Sequence, residues 1–365
     1  MRDDGSGPEQ GVARREDPFF SVLIATYNQA QYLEETLESV ARQTLRDYEV
    51  VVVDDGSTDA TPRVLARWRE EFARERRNRV VLATIPNSGQ SAAIEHGVSL
   101  CSGRYVCLLD SDDRWLPQKL QRLKEAADQH PEAGMLVHPL LVIGPHGQRT
   151  GDLRPKQAKL SDGDVREQLL LTGRHVASST SGIAIRRDVL AKLLPMPTKH
   201  FPSGADAYLA FGASLLAPVS ALPEPLAEYR LHPDGQYLRR MLTPAGLERS
   251  VEMQRTIARH FGLESVMLRN PFFARNQFAL DKFRGVIPRQ VRSFARLASA
   301  TLHDTSFGVS RRLALLTFWS LCLVSPLPVF SRLWLAFQLK QTGYGKVGLL
   351  PGGVVPRAEL ERCAE

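Results

Sequence analysis

The sequence predicts an α/β fold: a mainly parallel central sheet flanked by helices, followed by a helical C-terminal extension. Three observations predict it. Apolar runs alternate with stretches of helical periodicity through the first half of the chain, the order of a parallel sheet wound by right-handed crossovers. Two of those runs, Val50–Val53 and Tyr105–Leu109, are uninterrupted, as in strands buried on both faces. Beyond residue 240 the strand signals fade and the pattern turns helical.

Element by element, Phe19–Thr26 reads as the first strand and Tyr27-Asn28 as the turn after it. Tyr32, Leu33, Leu37 and Val40 then recur at helical spacing. The second strand, Glu49–Val53, runs into Asp54-Asp55-Gly56-Ser57. Thr58 or Asp59 can cap the next helix, with Pro62 in its first turn and Val64, Leu65, Trp68 and Phe72 facing inward. A third strand spans Arg79–Ile85, a helix Ser91–Leu100, and a fourth strand Tyr105–Leu109. A helix follows Pro117 towards His130, and Met135–Ile143 is a further apolar run. The polar segment 150–180 carries little signal. Gly182–Ile185 suggests a short strand before a helix near Arg187, Gly204-Ala205-Asp206 opens a helix through Leu216, and 217–229 reads as loop and strand.

With 365 residues, 43% of them apolar and 24% charged, the chain can bury a sizeable core and has room for one large domain plus an appendage. The net charge of +7 suits an anionic substrate or membrane surface, and equally mere solubility. No nucleic-acid motif is present. Cys101, Cys107, Cys322 and Cys363 lack metal-ligand spacing, which suits a reducing compartment. Residues 1–17 are polar, without the apolar core of a signal peptide. They read as a disordered tail on a cytoplasmic protein.

Ligands of open parallel sheets sit beyond the carboxyl ends of the strands, where Asp54-Asp55 and Asp110-Ser111-Asp112-Asp113 fall. Carboxylates at the end of a buried strand are costly without a cation or hydrogen bonds. Mg²⁺ or Mn²⁺ suits oxygen ligands and bridges to phosphate. Asp162-Gly163-Asp164 has the same spacing but follows no apolar strand. Asp54 and Asp55 suit either a base or ribose, or a turn ahead of the next helix. Tyr27 suits either a flat base or the edge of the core.

Thr26-Tyr27-Asn28, Asp54-Asp55-Gly56-Ser57-Thr58-Asp59, Asn87-Ser88-Gly89 and Leu109-Asp110-Ser111-Asp112-Asp113 together resemble glycosyltransferase family 2, over residues 18–240. The resemblance implies a GT-A fold and an inverting transfer from a nucleotide-diphosphate sugar, UDP-linked, to an acceptor hydroxyl in cell-surface polysaccharide or glycoconjugate synthesis. It implies Ala25, Thr26, Tyr27, Asp54 and Asp55 at the nucleoside and Asn87 and Gly89 beside the donor. Asp110 and Ser111 belong to the metal-binding triplet, with Asp112 the more direct ligand of Mn²⁺ or Mg²⁺. The family's general base lies in a Glu-Asp pair; here Ala205 replaces the first acid and Asp206 remains. Leu226-Ala227-Glu228-Tyr229-Arg230-Leu231-His232 resembles the family's Tyr-Arg-x-His ending, which places Arg230 at the diphosphate and His232 at the metal. Gln236–Arg240 departs from the Gln-x-x-Arg-Trp of processive synthases at Arg240 and is set aside.

Three readings of the uncharged window Leu313–Phe330 in the helical region 241–365 compete: a packed helical pair, an interfacial contact, or a span interrupted by Pro326 and Pro328. The interfacial reading puts the protein at the inner face of the cell membrane and suits a lipid-linked acceptor as well as a saccharide. Two other functions compete. A donor-binding protein with a degenerate site draws on Ala205. A nucleotidyltransferase lacks its usual Gly-rich opening after the first strand.

Overall fold

A computed structural model describes residues 17–75, 78–156, 159–232, 243–304 and 307–342. The tail before Asp17, Gln236–Arg240 and Cys363 lie outside the described residues. Strands β1 (Phe20–Thr26), β2 (Tyr48–Asp54), β3 (Val80–Thr84) and β4 (Tyr105–Asp110) are parallel, as the apolar runs predicted. Every residue of β2 is buried. Alternate side chains feed two cores: Leu23, Val51, Val53 and Leu108 on one face, Val22, Ile24, Val50, Val52 and Leu109 on the other. Helices α1 (Ala30–Ala41) and α2 (Thr61–Glu75) close the second face, with Leu33, Leu37, Val40, Leu65, Trp68 and Phe72 buried in it. Helix α3 (Gln90–Leu100) covers the first face, and α4 (Lys119–Gln129) joins the second.

The apolar run 135–143 is not one element. It breaks at His138-Pro139 into β6 (Met135–Val137) and β7 (Leu140–Ile143), which enter different sheets. Among the described residues the main sheet runs β10-β6-β9-β4-β1-β2-β3, with β9 (Ile183–Arg186) and β10 (Val219–Ala221) completing it. Strand β9 is antiparallel to both its neighbours. The second sheet runs β5-β11-β7-β8, from β5 (Arg114–Trp115), β11 (Ala227–Arg230) and β8 (Arg149–Arg154). Short helices α5 (Arg166–Thr172) and α6 (Arg187–Ala191) precede α7 (Ala205–Leu216). The segment 150–180, faint in sequence, thus holds part of an edge strand and a short helix.

The C-terminal region is helical, as expected: α8 (Pro244–His260), α9 (Glu264–Met267), α10 (Pro271–Phe283), α11 (Ile287–His303), α12 (Val309–Val324) and α13 (Leu327–Thr342). Leu247, Phe278, Trp319, Phe330 and Trp334 lie in the same core as Leu23 and Val53, so these helices and the sheet fold around common apolar contacts. Within the window 313–330, Trp319, Cys322 and Phe330 pack into that core. No helix among the described residues is long and apolar enough to cross a membrane, which rules against the spanning reading of that window. Val309, Leu313, Leu321 and Val324 nevertheless stay exposed.

Candidate active site

Register brings the motifs to one edge. In the sheet Ala25 pairs with Val53 and Asp110, and Thr26 pairs with Asp54. The chain order reverses on either side of β1, the place where open α/β sheets leave a crevice. A cavity of about 480 Å³ opens there, within the range typical of small-molecule sites. Ala25, Thr26, Tyr27, Asp55, Asn87 and Gly89 line it from β1 to α3. Asp110, Ser111, Asp112, Asp206, Arg230 and His232 line the remainder.

The loops carrying the first three motifs hold each other. Asn28 has a left-handed backbone (φ 51°), which Asn tolerates better than most side chains. Its N–H donates to Ser57 Oγ at 2.9 Å, and its Oδ1 accepts from the Thr58 N–H at 2.8 Å. Asp55 accepts from the N–H groups of Ser88 (2.7 Å) and Gly89 (2.8 Å), fixing the turn that opens α3. Asp55 thus orders the loop ahead of α3 and also lines the cavity. Asp54 does not line the cavity. Its Oδ1 accepts the Ser57 N–H at 3.0 Å, which is the turn reading. Tyr27 lines the cavity and is 44% exposed, not buried at the core edge.

At the end of β4, one ligand oxygen from each of Asp110, Asp112 and Asp113 lies within 4.8 Å of the others. Their surroundings divide the labour. Asp113 is fully buried, and both its oxygens are engaged: Oδ1 by the Arg230 N–H at 2.9 Å, Oδ2 by the Ser181 hydroxyl at 2.6 Å. Asp110 accepts from Gln90 Nε2 at 2.9 Å, while Asp112 Oδ2 stands 2.9 Å from His232 Nε2. Burial, and the charges of Asp113, Asp112 and Asp206, push the Asp110 carboxyl well above the ordinary carboxylate range. Burial and Asp112 push Asp113 upward too.

These residues fit a divalent cation. Unrelieved carboxylate repulsion is what a cation removes. Two ligands at right angles on an ion with ~2.1 Å bonds lie about 3.0 Å apart, close to the Asp112–His232 separation. His232 Nδ1 is buried and has no hydrogen-bond partner among the described residues, and Nε2, which faces Asp112, is the ring nitrogen within reach of an ion. The donors available to an ion are Asp110, Asp112 and His232, with Asp113 behind them.

Arg230 lines the cavity, but its guanidinium is already held. Nε donates to the Asp112 carbonyl (2.8 Å), one terminal nitrogen to the Pro145 carbonyl (2.8 Å) and the other to Glu35 (2.9 Å), and the group lies 5.0 Å over the Tyr32 ring. Glu35 also pairs with Arg114 at 2.8 Å, and Arg114 with Glu228 at 2.8 Å. Lys119, fully buried, donates to the Ser181 carbonyl at 2.6 Å beneath the acidic cluster. Burial pushes its ammonium down to about 7.

Asp206 sits in the first turn of α7, which begins after Gly204 at φ 103°. Ala205 has no exposed surface and packs in the apolar core. An acid in that orientation would be desolvated without a partner, so the position suits Ala. The Asp162-Gly163-Asp164 triplet lies outside the cavity: Asp164 pairs with Arg166, and Asp162 accepts the Ala221 N–H at 2.9 Å. Sequence reasoning missed Gln90, Ser181, Lys119 and the inner position of Asp113. Only Asp113 carried a signal, as the last member of the acidic run.

Comparison with known proteins speaks to family and fold. A model of Glycosyl transferase family 2 matches residues 21–194. An uncharacterized glycosyltransferase of Nostoc sp. is 35% identical over 213 residues, covering 58% of this chain and 64% of that protein, so under two thirds of the relative's own length is matched. Among solved structures, S. aureus TarS 1-349 in complex with UDP superposes with a TM-score of 0.55 at 21% identity, covering 90% of this chain and 91% of that one. The mannosyltransferase PcManGT from Pyrobaculum calidifontis, in complex with GDP-Man and Mn²⁺, gives 0.52 at 20% identity, covering 92% and 88%. At such identities the structural likeness speaks for the fold, which is GT-A. Four motifs in order, the sheet edge that gathers them and the family model converge on residues 21–194, which match glycosyltransferase family 2.

Proposed function

We propose that this chain transfers a sugar, with inversion, from a UDP-linked donor to an acceptor hydroxyl. The observation that carries the reading is the meeting of Asp110, Asp112 and His232 with Asp206 in one cavity, at the carboxyl edge of the sheet. The nucleoside lies against Ala25, Tyr27 and Asp55, and the diphosphate lies beside Gly89 and Asp110. Asp110, Asp112 and His232 would hold Mn²⁺ or Mg²⁺, which would supply electrostatic stabilisation to the leaving diphosphate. Asp206 takes the proton of the acceptor hydroxyl. As the acceptor oxygen bonds the anomeric carbon, the bond from that carbon to the phosphate oxygen breaks, and the nucleoside diphosphate leaves with the electron pair. Arg230 positions Asp112 and Asp113 and leaves the diphosphate to the ion. The complexes of TarS with UDP and of PcManGT with GDP-Man and Mn²⁺ support a nucleotide donor. The exposed Val309, Leu313, Leu321 and Val324 are the residues that peripheral membrane contact would use.

A thermal-shift series tests the reading, since a ligand that binds only the folded chain raises its melting point. UDP-sugars with Mn²⁺ should stabilise the chain, and UDP-sugars with EDTA should stabilise it much less. A larger response to GDP-sugars would reassign the base. No response to any nucleotide sugar with metal would sink the proposal.

A further inference from the structure

Charge is spread unevenly along the chain. Between Arg284 and Thr342 stand eight Arg and Lys residues and one acid, Asp304, so this stretch alone accounts for the net charge of +7; the rest of the chain holds 39 charges of each sign. On other helices exposed cations meet acids: Arg67 pairs with Glu34, Lys124 with Asp128, and Arg284 with Glu248, each at 2.6 Å. Helix α11 differs. Its Arg289, Arg292 and Arg296 are exposed and have no ion-pair partner among the described residues. Asp304, the one acid of the stretch, is buried and paired with Arg174. Steps of three and four set the three arginines in one row along the helix. Beside that row run Ile287, Val291 and Leu302, which are 70%, 54% and 47% exposed. The opposite face, with Gln290, Ser293, Leu297, Ala300 and Thr301, is buried. Arg312 donates to the Leu302 carbonyl at 2.5 Å, tying the end of α11 to the start of α12, where Val309 and Leu313 are exposed.

We infer that the outer face of α11 docks on an anionic lipid bilayer, with Arg289, Arg292 and Arg296 among the headgroup phosphates and Ile287, Val291 and Leu302 at the acyl boundary. Charge and apolarity together select this occupant. A second copy of the chain, meeting the face by two-fold symmetry, would set the same unneutralised arginines against each other, and like charges across an interface repel. A nucleic acid would neutralise the arginines but leave Ile287, Val291 and Leu302 in water. An anionic bilayer takes both, since its surface attracts basic side chains and its interior takes the apolar ones. Docking in this way puts the membrane contact on α11, beyond the exposed residues of α12, and gives it a requirement for anionic lipid. It stands apart from the sugar-transfer reading and holds or fails whatever the chain transfers.

The test floats the full chain with vesicles of phosphatidylcholine alone and of phosphatidylcholine and phosphatidylglycerol in equal parts. The chain should float with the anionic vesicles, stay behind with the neutral ones, and come off the anionic ones in high salt. A chain carrying Arg289→Gln, Arg292→Gln and Arg296→Gln together should bind anionic vesicles about a hundredfold more weakly, about fivefold for each charge removed. Ile287→Ser with Val291→Ser should weaken binding about tenfold or more and keep its salt dependence. Both variants should melt with the wild-type chain, because the altered side chains are exposed, and that melting point reports that they fold. Equal flotation with neutral and anionic vesicles, no flotation with either, or full binding by the triple arginine variant overturns the inference. So does a dimer, seen by light scattering, that the serine variant abolishes, which would give the face to a second copy. Tighter binding to single-stranded DNA than to anionic vesicles overturns it as well. A chain that floats as expected but gives no thermal shift with UDP and Mn²⁺ would instead sink the donor reading and leave this one standing.

Discussion

Asp206 and Asp112 are both cavity carboxylates, but their neighbours give them different chemistry. Asp112 faces His232 and shares its cluster with Asp110 and Asp113, an arrangement for a cation. Asp206, in the first turn of α7, is the carboxylate to which the proposed function gives the acceptor proton. Asp206→Asn should lower transfer by about 10²–10⁴-fold, the usual weight of general-base catalysis, and leave UDP–Mn²⁺ binding intact. Wild-type turnover by that variant would take the base role from Asp206. A second residue-scale prediction concerns pH. Burial, with the Lys119 charge beside it, holds the His138 imidazole well below the ordinary 6.5. Below that value the unfolded chain takes up a proton that the folded chain resists. The unfolded state then binds more protons, so stability falls as pH drops through 6.5. His138→Gln should therefore lose less stability than the parent between about pH 7 and pH 5, read from denaturant midpoints. Equal losses would discard this source. The acids at the ends of strands were legible in the sequence because buried apolar runs point at them. Their partners were not, since Asp55 meets the Ser88 and Gly89 N–H groups across the sheet edge, and Asp113 meets Ser181 and Arg230 far along the chain.

At the scale of elements, parallel strands were legible and antiparallel edges were not. β1, β2 and β4 bury nearly every residue and stand out as apolar runs. Strand β8 lies at the end of its sheet with half its residues exposed, so its sequence reads as polar loop. The split of 135–143 between two sheets depends on His138-Pro139, a break that periodicity does not register. The entry to α3 borders the proposed donor site. Gly89 has φ 92°, and a Cβ there would stand 2.6 Å from the Pro202 carbonyl oxygen. Gly89→Ala should cost about 1–3 kcal/mol of stability, the range for a residue forced into sparsely allowed backbone. It should also weaken UDP–Mn²⁺ binding, because the Gly89 N–H anchors Asp55. A melting point and a UDP affinity both unchanged would contradict this account of the loop.

For the whole molecule, the sequence marked a helical region after residue 240 without saying where it goes. Its helices share the core beneath the sheet and line a second cavity that meets the first at Arg154, Ser179 and Asp206. That contribution was invisible because Arg275 and Arg311 read as ordinary helix cations until the fold sets them near Arg154 and Asp206. The account as a whole turns on a divalent ion at the end of β4. Titrating Mn²⁺ into the full chain with saturating UDP, and reading free Mn²⁺ by electron paramagnetic resonance, tests it most directly. The wild-type chain should bind one ion, and Asp112→Asn should bind it more than about tenfold more weakly, as loss of a charge-assisted contact implies. Equal Mn²⁺ affinity in the two chains would contradict the account.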